Sequence, residues 1–384
     1  MLTGMHRGKA THSQRLERWL GADAVARLVH ASEKFYWPIA LHGVPGNVHI
    51  MPGGDFCGEI RAGSEASALD RAQDRLSRHR RTITRHRYNS MSPRERGSFG
   101  SLSALITART AGKGCDMIYQ KVGVAASAIG GSMDDWTSSG QPAAGAAGAA
   151  APTGSSPTNS TTGALPFANA VSNANTSHFV TGWALCGTAG NTLLLYDRLF
   201  MSAKTMASTA TEAVTGTFSR YQNQTSTAGD YIGGNFLFPS NPTTVLAATA
   251  HNWTVCKYTN QAGTTGQSAP SATGISACPV HQIDLAVGGG SWFMPLASGD
   301  VGVKALTQMQ CSASVATGTI DFVVGHPIAW LPCPLANMIC LVDGINTAFN
   351  MVIVYDNACL AFLNVAKPAT AAITYSGQIT TVSE

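Results

Sequence analysis

Six aspartates in the C-terminal two-thirds of the chain are the residues whose type could support hydrolytic chemistry. Glycoside hydrolysis requires two carboxylates, one acting as an acid and the other as a base or nucleophile. The candidates are Asp197, Asp230, Asp284, Asp300, Asp321 and Asp356. Residues 98–384 hold 12 acidic side chains, so chance alone brings some of them together. The hypothesis of a glycan-cleaving enzyme rests only on these scattered carboxylates, and their spacing singles out no pair.

Other catalytic constellations are equally weak. The sequence contains no phosphate-binding loop and neither a GxSxG nor an HExxH motif. His251, His281 and His326 lie in separate segments, and nothing in the sequence brings them together. The acidic pair Asp134 and Asp135 is typical of a turn whose carboxylates cap backbone amides. We therefore predict no catalytic residue, no cofactor and no metal ion, and a protein that is not an enzyme.

The cysteines favour reduced, buried thiols over a disulfide framework. They are nine in number, which is odd, and they form no CxxC pair. Most of them lie among apolar or small residues, where a thiol behaves as a small hydrophobic group. A disulfide formed late, after release from the cell, stays open as an alternative. The nine are Cys57, Cys115, Cys186, Cys256, Cys278, Cys311, Cys333, Cys340 and Cys359.

Charge is distributed very unevenly along the chain. Residues 1–97 hold 16 Lys and Arg against 9 Asp and Glu, whereas residues 98–384 hold 9 against 12. The longer part is therefore almost uncharged, and Ala, Thr, Ser, Gly, Val and Asn dominate its composition. Scarcity of charge on a long segment indicates a surface covered by other protein molecules. This pattern favours an assembly component over a catalyst.

The strongest helical stretch, residues 65–87, carries an arginine cluster. Its members, a candidate contact surface for nucleic-acid phosphates or for an acidic protein surface, are Arg75, Arg78, Arg80, Arg81, Arg85 and Arg87. Arginines clustered on a helix bind phosphates by releasing counterions. A solvated helix face has the same composition, and only Tyr88 supplies a neighbouring aromatic ring. Both interpretations stay open from the sequence alone.

Short β-prone segments separated by Gly, Pro, Asn and Ser dominate the rest of the chain. No alternation of strands with helices occurs, so a parallel α/β enzyme fold is disfavoured. We predict a mainly β protein, whose body is an antiparallel β-sandwich of jelly-roll type. The predicted divisions are a basic α+β segment at 1–97, an anchor helix with an Ala/Gly/Ser/Thr-rich connector at 98–165, and the β-sandwich body at 166–384.

The segment 98–165 is predicted to make contact with neighbouring subunits. Phe99, Leu102, Leu105 and Ile106 share one side of a short predicted helix and form a candidate subunit anchor. The Ala/Gly-rich connector that follows buries little by itself and is expected to lie along a neighbouring subunit.

The first residues lack the apolar core of a signal peptide, and no apolar run reaches the length of a membrane span. We therefore expect synthesis in the cytoplasm and no membrane contact.

Several segments of residues 98–384 resemble virion structural proteins of tailed bacteriophages. The resemblance is carried by 194–200 (LLYDRLF), 209–216, 230–236, 305–310 and 325–329, together with the opening from Ser98 to Lys113. None of these stretches is a known binding or catalytic motif, so the resemblance supplies no functional residue. The basic residues 1–97 resemble no specific family.

The resemblance implies a virion component. The leading hypothesis is a capsid-associated minor capsid, decoration or cement protein. Its expected partners are the major capsid protein and copies of itself in a homotrimer, with DNA contact through the N-terminal segment as a further option. The alternative is a tail, baseplate or fibre component, whose exposed aromatic and Asn side chains bind the host surface.

Overall fold

A computed structural model describes ten stretches of the chain. The chain divides into two compact units, Met1–Met91 and Ser92–Glu384. The described residues are 39–44, 47–52, 58–61, 102–123, 130–167, 178–222, 233–286, 291–344, 352–365 and 372–383.

The first unit contains a small antiparallel sheet. Its strands are β1 (Ile39–Val44), β2 (Asn47–Pro52) and β3 (Gly58–Arg61), paired in the order β1-β2-β3. The helical stretch 65–87 with all six candidate arginines lies outside the described residues, so its role stays a prediction.

The second unit contains one α-helix and fifteen strands within the described residues. In chain order they are α1 (Leu102–Thr110), β4 (Gly114–Val122), β5 (Met133–Asp134), β6 (Gly140–Gln141), β7 (His178–Gly187), β8 (Asn191–Thr205), β9 (Glu212–Ala213), β10 (Phe236–Ser240), β11 (Asn252–Asn260), β12 (Gln267–Ser268), β13 (Ala272–Thr273), β14 (Val303–Cys311), β15 (Thr319–Cys333), β16 (Ile339–Asp343), β17 (Leu360–Val365) and β18 (Thr374–Ser383).

These strands form three antiparallel sheets. The first has the order β10-β15-β8-β17-β5, the second β16-β7-β18-β4-β6, and the third β12-β11-β14-β9 with β13 also on β11. The prediction of a mainly β fold with antiparallel sheets is therefore confirmed. The predicted boundary at residue 165 falls inside this architecture, because β4 from the segment 98–165 pairs along its length with β18.

The centre of the first sheet is the pairing of β8 with β15. Each strand is 15 residues long, and the register runs from Thr319 opposite Thr205 to Cys333 opposite Asn191. Nearly every residue of both strands is buried, and such strands are near-continuously apolar rather than alternating. The sequence predicts strands at 192–201 and 319–328, and the structure extends both.

Aromatic rings join the other two sheets to the first. Tyr119 and Trp183 of the second sheet lie 4.7 and 6.0 Å, between ring centroids, from Phe362 in β17. On the third sheet, Trp253 meets Phe322 of β15 edge-on at 4.8 Å. One contiguous hydrophobic core therefore runs through all three sheets.

The Ala/Gly-rich connector lies along its own chain. Beyond Asp197, where the pairing of β17 with β8 ends, the connector takes over the edge of β8. The amides of Met201 and Ser155 each donate to the carbonyl of the other, at 2.9 and 2.8 Å, and the amide of Ala203 donates to Ala149 at 2.9 Å. The expectation that the connector lies along a neighbouring subunit is therefore wrong for these residues, because β8 uses their hydrogen-bonding groups.

Small residues in the connector permit a close approach to Trp136. This ring is 1% exposed, and its Nε1 donates to the carbonyl of Ala146 at 2.8 Å. A Cβ atom added at Gly145 would collide with the indole, and one at Gly163 would lie 3.0 Å from it. The composition that suggests a flexible linker instead serves tight packing of backbone against an aromatic ring.

Four predicted strands are not strands in the structure. Residues 217–221 and 243–248 run as turns and irregular segments, while 282–285 and the described part of 351–355 contain only isolated bridges. In the first, Arg220 turns inward to bind Asp197, and Tyr221 has a positive φ of 53°. This local geometry interrupts the extended conformation that the β-prone residues predict.

We predict that Gly154→Ala destabilises the protein more than Gly112→Ala. Both glycines have positive φ, 61° and 78°, which costs an alanine about 1–2 kcal/mol. An alanine Cβ at Gly154 would also lie 2.8 Å from the Met201 carbonyl oxygen and closer still to Phe200, whereas nothing lies within 4 Å at Gly112. Overpacking adds about 1–3 kcal/mol. Urea unfolding of both variants measures the difference, and equal losses would contradict the proposed packing of the connector on β8.

Candidate functional site

The candidate site is the outer face of the second sheet. In β4 the side chains of Met117, Tyr119 and Lys121 are buried, while the alternating Ile118 and Val122 are 69% and 39% exposed. Successive side chains of a strand point to opposite faces. The strand therefore presents large apolar groups to solvent as well as to the core.

The other strands continue this surface across the sheet. The registers place Leu341, Ala184, Gln378 and Ile118 in one row and Ile339, Cys186, Ser376 and Gln120 in the next. Leu341 and Ile339 of β16 are 73% and 68% exposed. We call this surface the outer face; its residues are Ile118, Gln120, Val122, Ala184, Cys186, Ile339, Leu341, Ser376 and Gln378.

The outer face is electrically neutral except at one end. The row beyond Leu341 contains Asp343 and Asp116, and Asp116 forms an ion pair with Arg109 of α1. All other members carry apolar, amide, hydroxyl or thiol groups. A neutral face with large exposed aliphatic groups is suited to burial against another protein surface.

Charged groups of the second unit are concentrated inside it. Nine charged side chains of the described residues are buried, which leaves the surface even less charged than the composition implies. They are Lys121, Asp134, Asp135, Asp197, Arg198, Lys204, Arg220, Asp284 and Asp321.

The candidate anchor residues lie on or before α1. Leu105 is half-buried and Ile106 is 53% exposed, while Ala108 is buried. Leu102 begins the helix, and Phe99 lies outside the described residues. The helix contacts β4 and β18 beside the outer face, and the role of these residues as a subunit anchor stays a prediction.

Five of the six candidate carboxylates are engaged within the fold. Asp284 contacts His251 at 2.8 Å, Asp356 contacts His178 at 2.7 Å, and Asp300 accepts from Tyr258 and Asn260, both at 2.7 Å. Asp321 accepts from the amide of Gly148 at 2.8 Å, and Asp197 binds Arg220. Asp230 lies outside the described residues. Each of these five carboxylates therefore has a hydrogen-bonding partner within the fold.

Two arginine–aspartate pairs hold the centre of the first sheet. Arg198 donates to Asp134 at 2.7 Å, and its guanidinium lies 4.9 Å above the Trp136 ring. Arg220 donates through Nε and Nη2 to the two oxygens of Asp197, at 2.7 and 2.8 Å. A bidentate contact of this kind fixes geometry as well as charge. Both pairs are almost wholly buried, so removal of one partner would leave an uncompensated buried charge.

The three histidines considered for catalysis do not converge. His251 uses Nδ1 for the Thr249 carbonyl at 3.0 Å and Nε2 for Asp284, so both ring nitrogens are engaged. His326 stacks on Tyr221 with ring centroids 3.9 Å apart, and its burial lowers its pKa to about 3. Burial also lowers the pKa of His281. Burial therefore favours neutral imidazoles at His281 and His326. At His251 burial also lowers the pKa, but the hydrogen bond and charge of Asp284 outweigh it and raise the pKa above its usual value.

Eight of the nine cysteines lie in the described residues, and all eight are free thiols. Burial raises the pKa of Cys256 to about 12 and that of Cys333 to about 11. A thiol with so high a pKa is a poor nucleophile at neutral pH. The prediction of reduced cysteines, most of them buried, agrees with these eight; Cys57 lies outside the described residues.

A separate aromatic patch lies beside β10 and β15. Trp292 contacts Phe236, Phe293 and Trp330, with ring centroids 4.8, 4.6 and 5.2 Å apart. Phe293 and Trp330 are 43% and 38% exposed. The sequence predicts exposed aromatic residues in general terms, and the structure brings these distant ones together.

Sequence reasoning does not single out Ile118, Ile339 or Leu341. Within β16 (ICLVD) apolar residues occupy both faces, so the alternation that distinguishes a solvated face is missing. The sequence signal for an exposed apolar surface is the lack of alternation between apolar and polar residues in β16, a strand that lies at the edge of its sheet.

No group of three or more His, Cys, Asp and Glu side chains in the described residues is arranged to hold a metal ion. None of the described helices has the length and hydropathy that a membrane crossing requires. The sequence matches no protein-family model, and comparison with curated proteins and with solved structures finds no match either.

We predict that the stability of the protein decreases between about pH 5 and about pH 8 because of Asp135. Burial raises the pKa of this carboxyl to about 7, although hydrogen bonding from Tyr375 lowers it in part. An unfolded aspartate has a pKa of about 3.9. Between these values the folded state holds a proton that the unfolded state has released, so the free energy of unfolding falls as pH rises.

Asp135→Asn removes this titration while keeping an oxygen that can accept from Tyr375, which donates to Asp135 at 2.6 Å. Over that pH range we expect wild type to lose on the order of 2 kcal/mol more stability than the variant. Asp321, with a pKa raised by burial to about 6, titrates in both proteins and cancels in the comparison. Urea unfolding at the two pH values gives the result, and parallel losses would refute the role of Asp135.

Proposed function

We propose that this protein is a structural component of a tailed-bacteriophage virion, associated with the head as a minor capsid, decoration or cement protein. The observation that carries the proposal is the neutral, apolar outer face of the second sheet. The segments that resemble virion structural proteins support the assignment to a virion. The outer face supports attachment to another protein surface.

The proposed mechanism is burial of this face against the shell. Apolar burial contributes about 25 cal/mol per Å² removed from water. Ile118, Ile339 and Leu341 are each at least two-thirds exposed, so a partner surface has much to cover. Because the attachment is repeated over the many copies in a particle, modest binding at each site strengthens the shell as a whole. This role involves no turnover and no cofactor.

The proposed partners are the major capsid protein and further copies of this chain. The basic residues 1–97 would contact an acidic capsid surface, or packaged DNA if they face inward. The protein would be made in the host cytoplasm and incorporated into the virion there.

The first test is the variant Ile118→Lys, examined in purified particles by quantitative mass spectrometry. A lysine at position 118 of the outer face places an ammonium group where apolar contact is proposed, so we expect at least a tenfold loss of incorporated copies. Val245→Lys is the matched control, because Val245 is 51% exposed and lies outside the outer face. Equal incorporation of the two variants would reject the outer face as the attachment surface.

A salt titration distinguishes apolar attachment through the outer face from electrostatic attachment through the basic residues 1–97. At about 1 M salt the Debye length is about 3 Å, so contacts between exposed charges are largely screened. Attachment through the outer face should persist at this salt concentration, as measured by the copies retained on washed particles. Release of nearly all copies would show that the basic segment, and not the outer face, holds the protein on the shell.

The aromatic patch around Trp292 favours a second candidate function, a tail or baseplate component that binds host-surface glycans. Exposed aromatic rings such as Phe293 and Trp330 offer apolar faces to sugar rings. Copy number discriminates the two functions, since hundreds of copies per particle indicate the head and a handful indicates the tail. Binding of host polysaccharide that quenches tryptophan fluorescence, and is lost in Trp330→Ala, would support the tail.

A further inference from the structure

The exposed apolar residues of the second unit are concentrated at β16. Leu335, Met338, Ile339 and Leu341 are 56%, 51%, 68% and 73% exposed. All four lie within seven consecutive residues, in β16 and in the loop that precedes it. This concentration at one sheet edge distinguishes β16 from the rest of the outer face.

Within the described part of the chain, β16 pairs on one side only, with β7, at the end of the strand order. Its register is regular, with Asp343 opposite Gly182, and the amide of Gly344 donates to the carbonyl of Thr181 at 3.2 Å. Since hydrogen-bonded and non-hydrogen-bonded pairs alternate in an antiparallel ladder, Cys340 and Val342 direct their backbone groups to β7. Ile339 and Leu341 therefore direct theirs outward, to the open edge.

In the described residues, this edge lacks three of the features that prevent strand addition. Protected edges carry lysine, proline or a bulge, or are very short. The sequence of β16, ICLVD, contains neither lysine nor proline, and its pairing with β7 shows no bulge. A backbone edge with apolar side chains is suited to pair with another extended strand.

We propose that β16 is a self-association edge, at which β16 of a second copy of this chain adds in antiparallel orientation about a two-fold axis. In the proposed register, Ile339 lies opposite the partner's Leu341, and Cys340 lies opposite the partner's Cys340. The two second sheets then form one continuous sheet across the two copies, and the two outer faces form one larger surface.

Charge placement selects this register over its neighbour. Moving the strands by one step toward Asp343 would place that carboxylate opposite the partner's Ile339, in contact with apolar groups. The proposed register leaves Asp343 beyond the paired residues and matches aliphatic side chains with aliphatic side chains. A two-fold antiparallel pair is satisfied by one strand sequence, so a second copy provides the complete complement of β16. This pairing makes the repeating unit a dimer, in place of the trimer expected from the sequence.

The test uses the full-length purified protein and Leu341→Pro. Proline at 341 removes an N–H that points to the open edge and leaves the hydrogen bonds to β7 intact, which is the placement that edge strands tolerate. We expect wild type to sediment as a dimer and Leu341→Pro as a monomer, with at least a tenfold weaker dimerisation constant.

Ile118→Lys is the control, because Ile118 lies on the outer face three strands from the edge, and it should remain dimeric. A wild type that stays monomeric at all concentrations, or a Leu341→Pro variant that associates like wild type, overturns the inference. The readout needs no particle, so loss of the virion role and loss of the self-association are distinguished: the former appears in particle copy number, the latter in sedimentation.

A cysteine cross-link tests the register itself. Residues that face each other at a non-hydrogen-bonded position have Cα atoms about 4.5 Å apart, within the range of about 4.4–6.8 Å that a disulfide spans. In a Cys333→Ser background, which removes a neighbouring thiol, oxidation by copper phenanthroline and oxygen should link two copies through Cys340. Peptide mapping that finds dimers without this link would overturn the register.

Discussion

The long antiparallel pairing of β8 with β15 is the constraint on which the rest of the structure depends. Its two ion pairs are buried, so each charge is balanced by its partner and not by water. Arg198 and Asp197 are adjacent in β8, yet they bind partners from different segments, Asp134 and Arg220. The strand thereby fixes the turn that precedes the connector and the irregular segment after β9 in a single arrangement. Breaking either pair would leave an unpaired charge in the core. The cost of that charge favours the observed register of β8 with β15.

The same interior charges explain the neutral surface. The few charged side chains of such a protein ordinarily lie on its surface, but in this chain many of them are buried. What remains on the outer face is aliphatic, amide and hydroxyl groups, whose burial carries no large desolvation cost for ions. Self-association at β16 and attachment through the outer face are compatible, because one uses backbone groups at an edge and the other uses side chains on a face.

The fold class was accessible from the sequence because β-branched residues and turn signals recur through the body. The sequence predicts strands at 192–201 and 319–328, near β8 and β15, because buried strands form apolar runs. It does not predict β18, because the polar sequence TYSGQITTVS resembles an exposed segment, although Tyr375 and Ile379 are buried. The connector was misassigned since composition reports how little a segment buries, whereas its small residues allow the backbone to pack on Trp136. The candidate site was hidden for a related reason: exposure of Ile118 and Leu341 depends on the position of their strands within the sheet, which only tertiary pairing determines.

The position of β18 determines when the outer face can form during synthesis of the chain. This strand lies between β7 and β4 and pairs with both, yet it follows them by most of the length of the unit. During translation, β4 and β7 leave the ribosome early and must wait for β18 before they can share a sheet. A nascent chain therefore cannot display the completed outer face until β18 has been synthesised, and the order of the strands alone imposes this delay.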